Sequence, residues 1–351
     1  MKRVMILTAE RTGTGHKSAA NAIEKRLNNL EYETKQIDCF TMMGKIGTLL
    51  ENSYIPITTR FPLLFYIPFL LTQICPNAMH FLIYLKSKKG LKKQINEFKP
   101  DLIISVHSMF TKSISHFLKK QKLNIPFYIN VIDLVNPPKV WFDKNADIIF
   151  VPTNEVKEDY IKKGIDENKL FVSGFPIRDD IKRRTTPKQI GNKVNILLVN
   201  PSVNLKKNIQ YVKEISKLDN TSVTVVCGRD ERMYNALIKE QQSGNISKDV
   251  KIHGFINNMN ELLENSHIVL AKAGPNMILE AAKSATAVVV NYEYVVKNNF
   301  GFKCDNPNKI YDKLNEFISS SELNECLNNV LKADCNNGAE FITNYIHSKI
   351  S

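Results

Sequence analysis

Short apolar runs alternate with segments of helical period along almost the whole chain. Strand-like runs fall at 4–7, 34–38, 102–106, 127–132 and 148–151, and at 170–172, 194–199, 223–227, 251–253, 268–271 and 287–290. Between them apolar residues recur at helical spacing, the one-sided pattern of helices packed on a sheet. Ala19, Ala20, Ala22, Ile23 and Leu27 predict a helix from about Lys17 onward. Such alternation predicts an α/β protein with parallel sheets covered on both faces. These runs are too many for one doubly wound sheet of ordinary size. After Gly174-Phe175-Pro176 comes a basic, polar stretch at 178–193 with no apolar period. A boundary there predicts two Rossmann-like domains, 1–176 and 177–330, facing each other across a cleft. Residues 331–351 are expected to form a terminal helix, apolar at Phe341, Ile342, Tyr345 and Ile346, that packs back on the first domain. Ligands of such sheets sit at the carboxyl ends of the strands.

Residues 53–85 interrupt the alternation. Their core, Phe61-Pro62-Leu63-Leu64-Phe65-Tyr66-Ile67-Pro68-Phe69-Leu70-Leu71, is too short to span a bilayer and is broken by proline. It reads as a lid or membrane-facing surface, or else as a helix pair covering a sheet edge. Between residues 86 and 122 ten lysines are opposed only by Glu97 and Asp101. A basic cluster beside an apolar segment fits docking on anionic lipid. The formal net charge of +13 points the same way, toward anionic partners. Nucleic acid is the competing partner, but no nucleic-acid module is recognisable. The six cysteines are scattered without a C-x-x-C pair, against a disulfide framework or metal site and in favour of a reducing cytoplasm. The chain runs straight into a strand with no signal-peptide pattern.

The first strand leads into Thr8-Ala9-Glu10-Arg11-Thr12-Gly13-Thr14-Gly15-His16-Lys17-Ser18. Gly13 and Gly15 allow a sharp turn, and a helix N-terminus offers unpaired N–H groups to an anion or a sugar oxygen. His16 sits at the junction as a titratable group. The string is neither a P-loop nor a dinucleotide fingerprint. The plain alternative is a generic strand-to-helix turn. The string resembles the first signature of the monogalactosyldiacylglycerol synthase and diacylglycerol glucosyltransferase group of glycosyltransferase family 28, which opens with a strand, Gly-x-Gly-His and an Ala-rich helix. Further on, Asp133 closes a strand shortly before Trp141, the only tryptophan. The family has an Asp and a Trp at this point.

In the second half, Val226-Cys227-Gly228-Arg229 is a strand end where Gly228 allows close approach and Arg229 can pair with a phosphate. His253-Gly254-Phe255-Ile256 precedes a short helix at Met259. Lys272-Ala273-Gly274-Pro275-Asn276 follows a buried strand, and Pro275 fits the first helical position. Amide groups there suit a diphosphate. Glu280 lies in the same helix, either as a ribose acceptor or as a solvated helix residue. These blocks resemble the nucleotide-sugar half of the same family. The resemblance implies that Phe255 and Ile256 flank uracil, that Gly274 to Asn276 face the diphosphate, and that Glu280 holds the ribose, with Lys272 of the Lys-x-Gly motif among the substrate-binding residues. Two places depart from the family. No glycine-rich loop follows the strand at 194–199. The family's Pro-Gly-Gln-Glu-x-x-Asn loop is reduced to Asn291, and loss of its Gln and Glu would weaken or abolish sugar transfer.

The resemblance implies a GT-B transferase, peripheral at the inner face of the cell membrane, that moves a hexose from a UDP-sugar to diacylglycerol or a glycolipid. His16 is then the candidate for acceptor activation, since its ordinary pKa suits general-base work; Glu10 and Asp133 are secondary candidates. No cofactor and no metal are expected, because a helix terminus and a basic side chain can stabilise the leaving UDP. Two rivals stand beside this reading: an N-acetylglucosamine transferase acting on a lipid-linked cell-wall precursor, and a catalytically weak member serving as a membrane-bound UDP-sugar sensor.

Overall fold

The structure, a computed structural model, describes residues 1–10, 14–60, 70, 74–333 and 336–350. The chain divides into one unit of residues 1–178 with 336–351, and a second of residues 179–335.

The first unit is built on a six-stranded parallel sheet of order β2-β1-β3-β4-β5-β6. Its strands are β1 (Arg3–Thr8), β2 (Glu33–Asp38), β3 (Leu102–Ser105), β4 (Phe127–Asn130), β5 (Ile148–Val151) and β6 (Leu170–Val172). The helices are α1 (Thr14–Asn29), α2 (Lys45–Arg60), α3 (Pro76–Phe98), α4 (Thr111–Gln121) and α5 (Asn154–Lys162). Val4, Ile6, Leu102, Ile104 and Phe150 form one buried face with Ala20, Ile23 and Leu27 of α1. The closing helix, α13 (Gly338–Ile350), lies on the same face through Ala339, Ile342 and Ile346. The Tyr345 ring lies tilted against Phe171 at 4.8 Å and edge-to-face with Phe150 at 5.4 Å. The returning chain passes so close to Gly174 that a Cβ on Gly338 would lie 2.4 Å from the Gly174 carbonyl oxygen, and Gly174 itself has φ +78°. Both positions therefore require glycine.

The second unit carries a parallel sheet of order β12-β11-β10-β7-β8-β9. Its strands are β7 (Val194–Val199), β8 (Thr221–Val226), β9 (Lys251–His253), β10 (Ile268–Ala271), β11 (Ala287–Val289) and β12 (Gly301–Phe302). Helices α6 (Leu205–Ile215), α7 (Glu231–Gln242), α8 (Met259–Asn265), α9 (Pro275–Lys283), α10 (Glu293–Lys297), α11 (Ile310–Ser319) and α12 (Glu322–Lys332) accompany it. One cluster joins Ile196, Leu198, Val225 and Leu270 to α6, α7 and α11; another joins Leu197, Val269 and Val288 to α8 and α9. The sheet is thus covered on both faces.

Several elements differ in detail from the sequence pattern. α1 begins at Thr14, which takes Gly15 and His16 into its first turn. Edge strand β12 has two residues, too few for an apolar run to register, and pairs with β11 through Val288 and Val289. The polar stretch at 178–193 contains a buried lysine. Lys188 Nζ donates to Leu263 O (2.7 Å), Ser266 O (2.5 Å) and Thr286 Oγ1 (2.5 Å), clipping α8 to the start of β11. Burial pushes its pKa down to about 7, while three accepting oxygens favour the ammonium.

Candidate functional site

In the first unit the candidate residues gather at the carboxyl ends of β1, β3 and β4. The strand order reverses between β1 and β3, the point at which such sheets open a crevice. His16 is half-buried in the first turn of α1, and its Nδ1 lies 2.6 Å from the Val106 carbonyl oxygen. A carbonyl only accepts, so Nδ1 carries the proton and Nε2 carries the lone pair. Burial lowers the His16 pKa, and the Val106 bond partly offsets this. The imidazole is therefore a neutral base at pH 7.

His107, which follows β3, is a residue that the sequence patterns did not single out. Its ring centroid lies 4.3 Å from that of His16. Met109 N–H donates to its Nδ1 at 3.3 Å, which places its proton on Nε2. Burial, and then the neighbouring His16, push its pKa well down. The available signal was positional: a histidine two residues past a buried strand, at the carboxyl edge.

Asp133 follows β4 and accepts the Trp141 indole N–H at 2.6 Å. Burial raises its pKa, partly countered by that bond. The Trp141 ring in turn lies 6.4 Å from that of His16. Asp133 therefore orients the wall beside the histidine. Glu10 is exposed and pairs with Lys17 Nζ at 2.5 Å, while its N–H donates to Glu51 Oε1 at 3.1 Å. Gly13 lies outside the described residues, as do 61–69 and 71–73 of the apolar segment. Gly15 packs openly, with only Ile132 near a notional Cβ, at 3.9 Å.

In the second unit the candidates lie at the carboxyl ends of β7 to β11. Gly228 ends β8 with φ +59° and open space where a Cβ would be. Arg229 stacks on the Phe255 ring at 5.0 Å, and Phe255 is 59% exposed. Ile256 instead packs toward the core with Val269 and Ile278. Gly274 is the N-cap of α9, Pro275 opens the helix, and no side chain caps its first N–H groups. Asn276 Oδ1 is buried there without a hydrogen-bond partner. An uncapped turn with an orphan acceptor is a place for a ligand that brings both acceptors and donors. Lys272 is exposed beside it. Glu280 is 6% exposed, so it is not a solvated helix residue.

The place where a glycine-rich loop was expected is taken by Asn200, at φ +41°. Its Nδ2 donates to Cys227 O at 3.1 Å, tying the end of β7 to the end of β8. Asn supplies the left-handed backbone that glycine would otherwise provide. Asn200→Ala should destabilise the second unit by about 1–2 kcal/mol in urea unfolding, and Asn200→Gly by less. Equal losses would show that the side-chain bond, not the backbone, sets the cost. After β11 the backbone passes through residues 290–292 straight into α10, with Tyr292 N–H donating to Val290 O at 2.9 Å. Asn291 is exposed on this short passage. Among the described residues no cluster of His, Cys, Asp and Glu could hold a metal ion.

Comparison with known proteins bears on both units. Residues 16–177 match the family "Monogalactosyldiacylglycerol (MGDG) synthase", and residues 200–301 match the "Glycosyltransferase family 28 C-terminal domain". A processive diacylglycerol beta-glucosyltransferase of Bacillus cereus is 26% identical over 211 residues, covering 58% of this chain and 53% of that protein. The chain thus matches about half the length of that relative. A processive diacylglycerol beta-glucosyltransferase of Staphylococcus epidermidis is 24% identical over 346 residues, covering 92% of this chain and 86% of that protein. Among solved structures, MurG of Acinetobacter baumannii superposes with a TM-score of 0.65 at 15% identity, covering 99% of this chain and all of the other. The fold is of the GT-B type.

Proposed function

The chain belongs to the glycosyltransferase family 28 group, with a first half of the monogalactosyldiacylglycerol synthase kind, and on that footing we propose that it moves a hexose from a UDP-sugar to diacylglycerol or a glycolipid. The observation that carries this reading is His16. Its Nδ1–H is fixed on Val106 O, which leaves Nε2 as the basic atom at the carboxyl edge of the first sheet. An acceptor hydroxyl loses its proton to Nε2, its oxygen bonds to the sugar C1, and the C1–O bond to UDP breaks with its electrons leaving on the diphosphate. In the second unit the uncapped N-terminus of α9, with Lys272 beside it, would stabilise that developing charge. Arg229 and Phe255 would present the stacking surface for uracil. Incubating the protein with UDP-glucose, UDP-galactose or UDP-N-acetylglucosamine and diacylglycerol vesicles, then resolving the lipid products, tests this reading. Product only from a lipid-linked cell-wall precursor would favour the rival acceptor.

The acceptor would reach the first unit from a membrane surface. No helix among the described residues is long and apolar enough to cross a membrane. Leu49 and Leu50 on α2, and Phe81, Leu82 and Leu85 on α3, are exposed. Phe81 borders a hollow of about 220 Å³ shared with Tyr84, Lys112 and His116. Lys86, Lys89, Lys92 and Lys93 follow on the exposed side of α3. The protein should sediment with vesicles containing anionic lipid and be released by salt, because exposed charges are screened. Changing Phe81, Leu82 and Leu85 together to Ser should weaken binding and leave its salt sensitivity in place. Undiminished binding by the triple variant would remove this face from the membrane contact.

The sensor reading draws on the short passage at 290–292, which leaves Asn291 without the Gln and Glu that the family resemblance would supply. A protein that binds UDP-sugar and never releases UDP would be of that class.

A further inference from the structure

Glu51 lies on α2, next to the exposed Leu49 and Leu50, yet it is itself only 3% exposed. Its carboxyl reaches two places at once. Oε1 accepts the Glu10 N–H at 3.1 Å, where the chain has just left β1 on its way to α1. The same carboxyl faces the Asp38 side chain at the end of β2, close enough to raise its pKa. Thr8 and Asp38 are paired in the sheet, and Cys39 N–H donates to Thr8 O at 2.9 Å, so the ends of β1 and β2 form one rigid edge. Asp38 Oδ1 is held in its turn by Phe40 N–H at 2.8 Å.

We infer that Glu51 is a positioning residue of the acceptor half: it ties α2 to the chain that leads into the His16 helix, and so sets where the His16 ring stands. The inference rests on the proposed role of His16. Two facing carboxyls can hydrogen-bond only when one of them carries a proton, so the tie has a titratable component. The groups facing it are Glu10, itself paired with Lys17, and the buried Cys39 thiol. Burial first, and then the Glu51 and Glu10 charges, raise the Asp38 pKa to about 6. Below that value the pair shares a proton and the tie is made. Above it two carboxylates repel and the tie loosens, although Glu51 still accepts from Glu10 N–H.

Glu51→Gln and Glu51→Ala separate positioning from mere support. A glutamine accepts from Glu10 N–H through Oε1 and donates from Nε2 to Asp38 at every pH. Two readouts are needed. The first is hydrogen exchange at the Glu10 amide, expressed as a protection factor, which needs no substrate. Protection should fall as pH rises through about 6 in the parent, stay flat in Glu51→Gln, and drop at least tenfold at all pH values in Glu51→Ala. The second is transfer kinetics: Glu51→Ala should lower kcat at least tenfold with KM for the UDP-sugar within twofold, and Glu51→Gln should restore kcat to within about threefold. Unchanged protection in Glu51→Ala overturns the tie. Lost protection with unchanged kcat overturns its role in placing His16. A parent protein without transferase activity refutes the proposed function instead, and the exchange measurement still decides the tie.

Discussion

His16→Ala should lower turnover by about a hundredfold to ten-thousandfold, the usual range for losing a general base, while UDP affinity in calorimetric titration stays within twofold of the parent. The separation follows from placement. His16 belongs to the first unit, whereas Gly228, Arg229, Gly274 and Glu280 belong to the second. The pH dependence adds a signature. Burial lowers the His16 pKa, so the acid limb of kcat should lie below the ordinary 6.5, and activity should rise as pH increases through that limb. Histidine titration moves stability in the same sense. His16, His107 and His80 all have lowered values, His80 at about 4. For these three groups the unfolded chain takes up protons first as pH falls below 6.5, which destabilises the first unit, whereas Asp38 and Asp133, with raised values, take up protons first in the folded chain and oppose that loss. An equal loss of UDP affinity and turnover in His16→Ala would place the histidine in nucleotide binding and overturn its assignment.

Glu280→Gln should weaken UDP binding by about tenfold to a hundredfold. Two ribose hydroxyls donating to a carboxylate form charge-assisted bonds of roughly 1.5–3 kcal/mol each, and the amide keeps one acceptor oxygen. Glu280 is 6% exposed and engaged with its surroundings, so its replacement also touches the packing of α9. A thermal melt of the ligand-free variant measures that share. Uracil lacks the ribose, and its binding should be indifferent to the change. Equal losses for UDP and uracil, or no loss for UDP, would take Glu280 out of the ribose site.

Strands such as β5 and β10 were legible because each is a continuous apolar run, whereas β2, Glu-Thr-Lys-Gln-Ile-Asp, has none. The run at 268–271 appears in the structure as fully buried β10, bounded as read. Gly274 and Pro275 were legible for another reason, since an N-cap followed by proline at the first helical position is a local rule. Tertiary placement was not. Nothing near position 107 announces that its histidine will stack on His16, ninety-one residues away in the chain. Glu51 reads as an ordinary polar residue of an amphipathic helix, and only the fold reveals that it faces inward. Asn200 shows the converse case: the sequence lacks the glycine, and an asparagine adopts the same left-handed backbone in its place. Lys188 was hidden in a stretch whose composition reads as solvated linker, because its burial depends on three oxygens from distant elements.

The measurement that bears most directly on the central claim is UDP release from a UDP-hexose, followed with and without diacylglycerol vesicles for the parent and for His16→Ala. The account predicts release that depends on diacylglycerol, with hexose recovered in the lipid fraction, and near-complete loss of both in the variant. Tight UDP-sugar binding without release, whatever acceptor is supplied, would contradict it and leave the protein as a sensor.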